Sequence, residues 1–89
     1  SLLHIPSSEL RNVFEKCFKA LKIGGVMYVS FKYGNFEGTR NGRFYLDLTE
    51  ESFKQFLIGS SFVLAEMYLR NDVRPNVHDR WLNCILKKV

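Results

Sequence analysis

Cysteine is scarce in this chain, and the two present are placed against metal chemistry. Cys17 falls in a helical pattern and Cys84 in a strand pattern, far apart and without CxxC or Cys/His spacing. That arrangement excludes a zinc site and leaves two buried free thiols in a reducing compartment as the reading. No stretch of about 18 apolar residues is present, which excludes a membrane-spanning helix, and nothing resembles a signal peptide, so a cytoplasmic location is expected. Runs of like charge are missing too. The 13 Lys and Arg outnumber the 9 Asp and Glu to give a net charge of +4, but they are scattered. Such a balance permits contact with nucleic acid or an anionic metabolite and selects neither. No internal repeat and no Pro/Gly/Ser linker divides the chain, so a second domain is not expected.

Aromatic residues, in contrast, are plentiful: eight Phe, four Tyr and one Trp in 89 residues. They imply a dense core or a surface that expects a partner. A chain this short buries only about 60–65% of the surface its unfolded form exposes, so its stability margin is thin. The proportions of hydrophobic (46%) and charged (25%) residues are globular and exclude disorder or a fibrous structure.

The segment SSELRNVFEKCFKALKIGG carries apolar residues at Leu10, Val13, Phe14, Cys17, Ala20 and Leu21, the three-and-four spacing of one helix face. Ser7 or Ser8 can cap its first amides, Glu9 suits the positive end of its dipole, and Lys19 and Lys22 suit the negative end. Gly24 can stop it in the left-handed conformation. Val26–Phe31 follows as a continuous apolar run, the pattern of a central parallel strand covered on both faces. Residues 33–48, with glycines at 34, 38 and 42 and arginines at 40 and 43, read mostly as a loop. A second helix is expected from Thr49, with Glu50 and Glu51 in its first turn, Phe53, Phe56 and Leu57 on one face, and Gly59 as terminator. Phe62–Arg70 and Trp81–Lys87 read as strands joined antiparallel through NDVRPNVHD, whose Pro75 marks a turn. Both carry apolar groups on both faces, which predicts a sheet sandwiched by helices. A strand reached through a helix pairs in parallel by a right-handed crossover, so the pattern predicts an α/β layer with one reversed strand at its end.

LLHIP before an amphipathic helix, ALKIGGVMYVSF, a glycine-rich loop, the helix start TEESF and the closing DRWLNCILKK together resemble the C-terminal half of class I S-adenosylmethionine-dependent methyltransferases of the small-molecule type. The resemblance implies an α/β, partial Rossmann-like methyltransferase sheet made of the last three strands, the final strand antiparallel, with two helices. Residues 1–89 would be a single partial domain. Val26–Phe31 would be the fifth strand, Phe62–Arg70 the sixth and Trp81–Lys87 the seventh, the last inserted beside the fifth. A fourth strand would end just before Ser1, and a chain that opens on Ser rather than Met fits a fragment. The family holds its cofactor mainly on a glycine-rich turn after the first strand and an acidic residue after the second. Neither is found, since Gly34, Gly38 and Gly42 are spaced by four and no helix follows them directly. The expectation is that S-adenosylmethionine serves the full-length protein, that this fragment binds no cofactor, and that it is inactive alone.

Candidate site residues come partly from that resemblance. It puts His4 in the loop after the fourth strand, at the carboxyl edge of the sheet, as a cofactor-binding candidate. A half-buried histidine bonded to backbone is the plainer reading. Arg40 and Arg43, with Lys32 and Tyr33, form the acceptor-binding candidate: guanidinium groups grip a carboxylate or phosphate, while Phe36, Phe44 and Tyr45 exclude water. A solvated loop is the alternative. Arg74, Asp79 and Arg80 frame Trp81 and read as a structural salt bridge beside a packed indole, with a reach to the active-site edge as the alternative. No catalytic residue is assigned and no metal is expected. Methyl transfer needs alignment and water exclusion more than an acid or base.

The predicted function is therefore methyl transfer to a small-molecule acceptor. The alternative is a basic nucleic-acid-binding or protein-docking α/β module without catalysis. An RNA recognition motif is disfavoured because it needs a βαββαβ order and an aromatic-glycine pattern that RNGRFYLDL lacks. An unpaired edge along Val26–Phe31 predicts self-association or pairing with another chain.

Overall fold

Helix α1 spans Ser7–Ala20 and buries Leu10 and Phe14, two of the apolar positions that define its face. The computed structural model describes residues 2–89; the junction expected at Ser1 lies outside the described residues. The cap expected from Ser7 or Ser8 is not made. Pro6 occupies the N-cap and contributes no side-chain bond, its fixed φ suiting a helix start. The carboxylate of Glu37, far along the chain, accepts instead from the Ser7 amide (3.2 Å) and the Ser7 hydroxyl (2.9 Å). At the other end the helix stops at Ala20, short of Lys22. Lys88 Nζ donates to the Phe18 and Leu21 carbonyls at 2.8 and 2.9 Å, satisfying end groups that no intrahelical amide reaches. Gly24 has φ +85° but lies beyond the helix, where its amide donates to the Lys88 carbonyl.

Strands β1 (Val26–Lys32), β4 (Val63–Asn71) and β5 (Arg80–Lys87) form one sheet in the order β1-β5-β4. β5 is antiparallel to both neighbours, with Val29 opposite Cys84 and Cys84 opposite Met67. The reversed strand thus sits in the middle and not at the end, and β1 and β4 do not pair directly. Burial accounts for the order. β5 buries Leu82, Asn83, Cys84 and Leu86, whereas β4 has no fully buried residue, so the more apolar strand takes the central position. The insertion beside β1 is the one the methyltransferase resemblance implied.

Residues 33–48 are not mostly loop. They contain a hairpin of β2 (Glu37–Arg40) and β3 (Arg43–Leu46) turning on Asn41-Gly42, whose φ values of 50° and 79° are those of a two-residue type I′ turn. Asparagine tolerates that region and glycine enters it without a Cβ penalty. Helix α2 (Glu50–Leu57) begins on Thr49 as expected, and Thr49 and Ser52 make a reciprocal capping box.

Phe14 of α1 and Phe53 of α2 meet edge-on at 6.4 Å, and Phe53 lies 6.0 Å from Phe31. Both helices therefore cover the face bearing Val29, Phe31, Leu82, Cys84 and Leu86. The opposite face carries no helix among the described residues. Val26 and Tyr28 are each 58% exposed, so β1 is covered on one face only, not both. The polar Asn83 is buried on that open side by the Tyr28 hydroxyl, which donates to its Oδ1, and by its own donation to the Trp81 carbonyl.

Candidate functional site

β1 and β4 run parallel, and their carboxyl ends, with the start of β5, make one edge of the sheet. The chain collects charge there for a topological reason. Lys32 closes β1, Tyr33 follows it, and Arg80 opens β5; the Tyr33 amide donates to the Arg80 carbonyl at 2.9 Å. The hairpin folds over the same edge, since Leu48 N donates to the Lys32 carbonyl and Asp47 N to the Phe36 carbonyl. A hollow of about 280 Å³ results, lined by Lys32, Tyr33, Arg40, Asp47, His78, Asp79 and Arg80. That is room for a small ring or a single anionic group.

Each cation in the hollow is held. Arg40 pairs with Asp47 and lies over the Phe36 and Tyr45 rings at 4.4 and 4.9 Å. Lys32 Nζ pairs with Asp79 at 3.0 Å and sits 5.3 Å from Tyr45 and 6.0 Å from Trp81. The Arg80 guanidinium lies over the Tyr33 ring, 4.5 Å from its centroid, and has no ion pair among the described residues. Cation–π contact fixes these groups while leaving their donors available. Asp47 is 9% exposed, and its Oδ1 has no hydrogen-bond partner, a state that costs stability and marks a place with unused acceptor capacity.

The candidates read from the sequence divide into groups. Lys32, Tyr33 and Arg40 are brought together in the hollow. Arg43 is exposed at the hairpin tip, outside the lining. His4 lies in the short 3-10 turn Leu2–His4, where Nδ1 donates to the Phe44 carbonyl at 2.7 Å and the ring meets Tyr45 edge-on; it ties the amino-terminal turn to the hairpin. Sequence reasoning passed over Asp47 and His78, and it preferred a structural part for Asp79 and Arg80 over the reach to the active-site edge that it kept as the alternative; both line the hollow. The Asn41-Gly42 turn was the missed signal, because it sets the register that brings Asp47 back to Phe36.

Trp81 Nε1 donates to Asp72 at 3.0 Å, and Arg74 donates to the same carboxylate through Nε and Nη2. The carboxylate of the expected salt bridge is thus Asp72, while Asp79 turns to Lys32. Cys84 is fully buried, and burial pushes its thiol up to about 12, which makes it inert; Cys17 is only half-buried. Among the described residues no cluster of three His, Cys, Asp or Glu side chains could hold a metal ion, and no helix is long and apolar enough to cross a membrane.

A sheet whose last strand is reversed and inserted between two parallel ones, with two helices on one face, is the arrangement found in part of a methyltransferase fold. The chain is similar along its whole length to Burkholderia thailandensis 1,6-didemethyltoxoflavin-N1-methyltransferase, solved with bound 1,6-didemethyltoxoflavin and S-adenosylhomocysteine, with a TM-score of 0.81 and 17% sequence identity. All of this chain is covered but only 40% of that one. No protein-family model and no curated protein matches the sequence.

Proposed function

We propose that residues 1–89 are a single partial domain, the C-terminal part of a cytoplasmic S-adenosylmethionine-dependent methyltransferase that acts on a small molecule. The observation carrying this reading is the full-length superposition, reversed inner strand included, on a methyltransferase of which it spans 40%. Position and chemistry support it. The hollow lies at the carboxyl edge of the parallel strands, where open α/β sheets receive ligands. In this reading Lys32, Tyr33 and Arg40 form a wall of the acceptor site, Arg43 guards its outer rim from the hairpin tip, and the aromatic rings keep water from the methyl group in flight. The cofactor belongs to the missing part: the described residues include no glycine-rich turn leading from a strand into a helix. Residues 1–89 alone therefore neither bind it nor turn over.

The reading frame upstream of the Ser1 codon is expected to encode a strand followed by a glycine-rich turn. The product of that whole frame is expected to bind S-adenosylhomocysteine saturably by calorimetry, and residues 1–89 are not. A whole product without such binding overturns the proposal.

A docking role is the second reading, favoured by the β1 edge. Among the described residues β5 is the one strand that pairs along β1, Leu48 bonding its other edge at the Lys32 end, and its open face exposes Val26 and Tyr28. Such an edge accepts another strand, whether from preceding residues, a second copy or another chain.

A further inference from the structure

We propose that the hollow at the sheet edge selects an acceptor carrying an oxyanion, a carboxylate or a phosphate, and that Arg80 with Lys32 is its principal ligand. The position of this group as part of an acceptor rests on the methyltransferase reading; the anion site itself does not. The charge count decides the sign. Lys32, Arg40 and Arg80 bring three positive charges, and Asp47 and Asp79 bring two negative ones, leaving one positive charge before His78 is counted.

How that charge is distributed matters more than its total. Arg40 is committed to Asp47, a carboxylate that is nearly enclosed, so exchanging its partner would strand a buried charge. Arg80 is exposed, lines the hollow and is committed to no carboxylate among the described residues. Its stacking 4.5 Å from the Tyr33 centroid restrains it while leaving its N–H donors unspent, which lowers the entropic cost of gripping an oxyanion. Lys32 is intermediate. Its partner Asp79 is 43% exposed at the side chain, and an ion pair so open to water contributes little, so an incoming oxyanion can displace it. Beside these donors stands Tyr33, whose ring lines the hollow and gives a planar ring bearing the oxyanion an aromatic contact. A neutral ligand would leave the Arg80 donors to water and gain only the ring contact.

The test titrates the 89-residue chain, followed by amide NMR and by the fluorescence of its single tryptophan, with benzoate, phenyl phosphate and neutral benzamide. Benzoate or phenyl phosphate is expected to shift Lys32, Tyr33, Arg80 and Trp81 at millimolar concentration, with benzamide roughly tenfold weaker, the worth of one charge-assisted contact. Preference for benzoate assigns a carboxylate and preference for phenyl phosphate a phosphate; either supports the site. Arg80→Gln and, independently, Lys32→Gln should each weaken the preferred anion roughly five- to tenfold, while Lys16→Gln, an equal charge change on the exposed side of α1, leaves it unchanged. A dispersed amide spectrum checks the fold of each variant. Benzamide binding as tightly as the anions, shifts centred elsewhere, or full affinity in both Arg80→Gln and Lys32→Gln would overturn the proposal. No cofactor enters this titration, so its failure alongside S-adenosylhomocysteine binding by the whole frame removes the acceptor's charge and leaves methyl transfer standing. The reverse result leaves an anion site without that reaction.

Discussion

Asp72 collects four donors on one carboxylate: the amide, Nε and Nη2 of Arg74, and the indole N–H of Trp81. The Arg74 guanidinium first, then its amide, then the indole hold this group well below the usual carboxylate range. A carboxyl lowered on folding contributes stability that is complete above the unfolded value of about 3.9 and is lost as pH falls from there toward the folded one. Asp72→Asn should therefore lower the unfolding midpoint at pH 7, and the gap to the parent chain should close below about pH 4. A gap constant from pH 7 to pH 2 would mean that only packing was lost. The sequence grouped Arg74, Asp79 and Arg80 around Trp81 but could not choose among carboxylates. Asp72 is chosen because the β4 and β5 ends are pinned together, its amide donating to the Asp79 carbonyl at 2.8 Å, which presents its side chain to the indole.

Among the elements, α2 was the most legible and the hairpin the least. TEES states its own start: a threonine able to accept from the amide three residues on, acids in the first turn, and a serine that returns the bond. Thr49→Ala should cost about 1 kcal/mol by chemical denaturation, and a change indistinguishable from zero would show that tertiary packing of Phe53 alone sustains the helix. The hairpin was hidden by its glycines, which read as loop when weighed by composition, although Asn-Gly between two extended stretches carries a turn type of its own. The caps of α1 were illegible for a different reason. Glu37 and Lys88 supply them from 30 and 67 or more residues away, and no local pattern encodes so distant a partner.

For the molecule as a whole, one layer of helices on a three-stranded sheet leaves a face without cover and two outer strands, β1 and β4, each paired on one side. Tyr28 and Val26 stand on that side, and an apolar strand edge invites pairing. Light scattering across a concentration series should give a mass rising above the monomer for residues 1–89, and Val26→Lys should reduce the association by adding charge where a neighbouring strand would approach. A monomer mass throughout the series would sink the docking reading and leave the enzyme reading untouched. In the proposed methyltransferase reading the same open side has a second meaning, as the boundary toward the part of that fold which this chain does not match.

The amino-acid order by itself determined the two helices, the three long strands and the reversed sense of the last, because these follow from apolar periodicity and turn residues close along the chain. The place of β5 between β1 and β4 was implied by resemblance and not by the apolar pattern, which put the reversed strand at the end. Tertiary structure alone decided that both helices share one face and that Arg80 joins Lys32 and Arg40 around one hollow. Those outcomes depend on which surfaces bury best against each other across tens of residues, a competition whose winner no single segment contains.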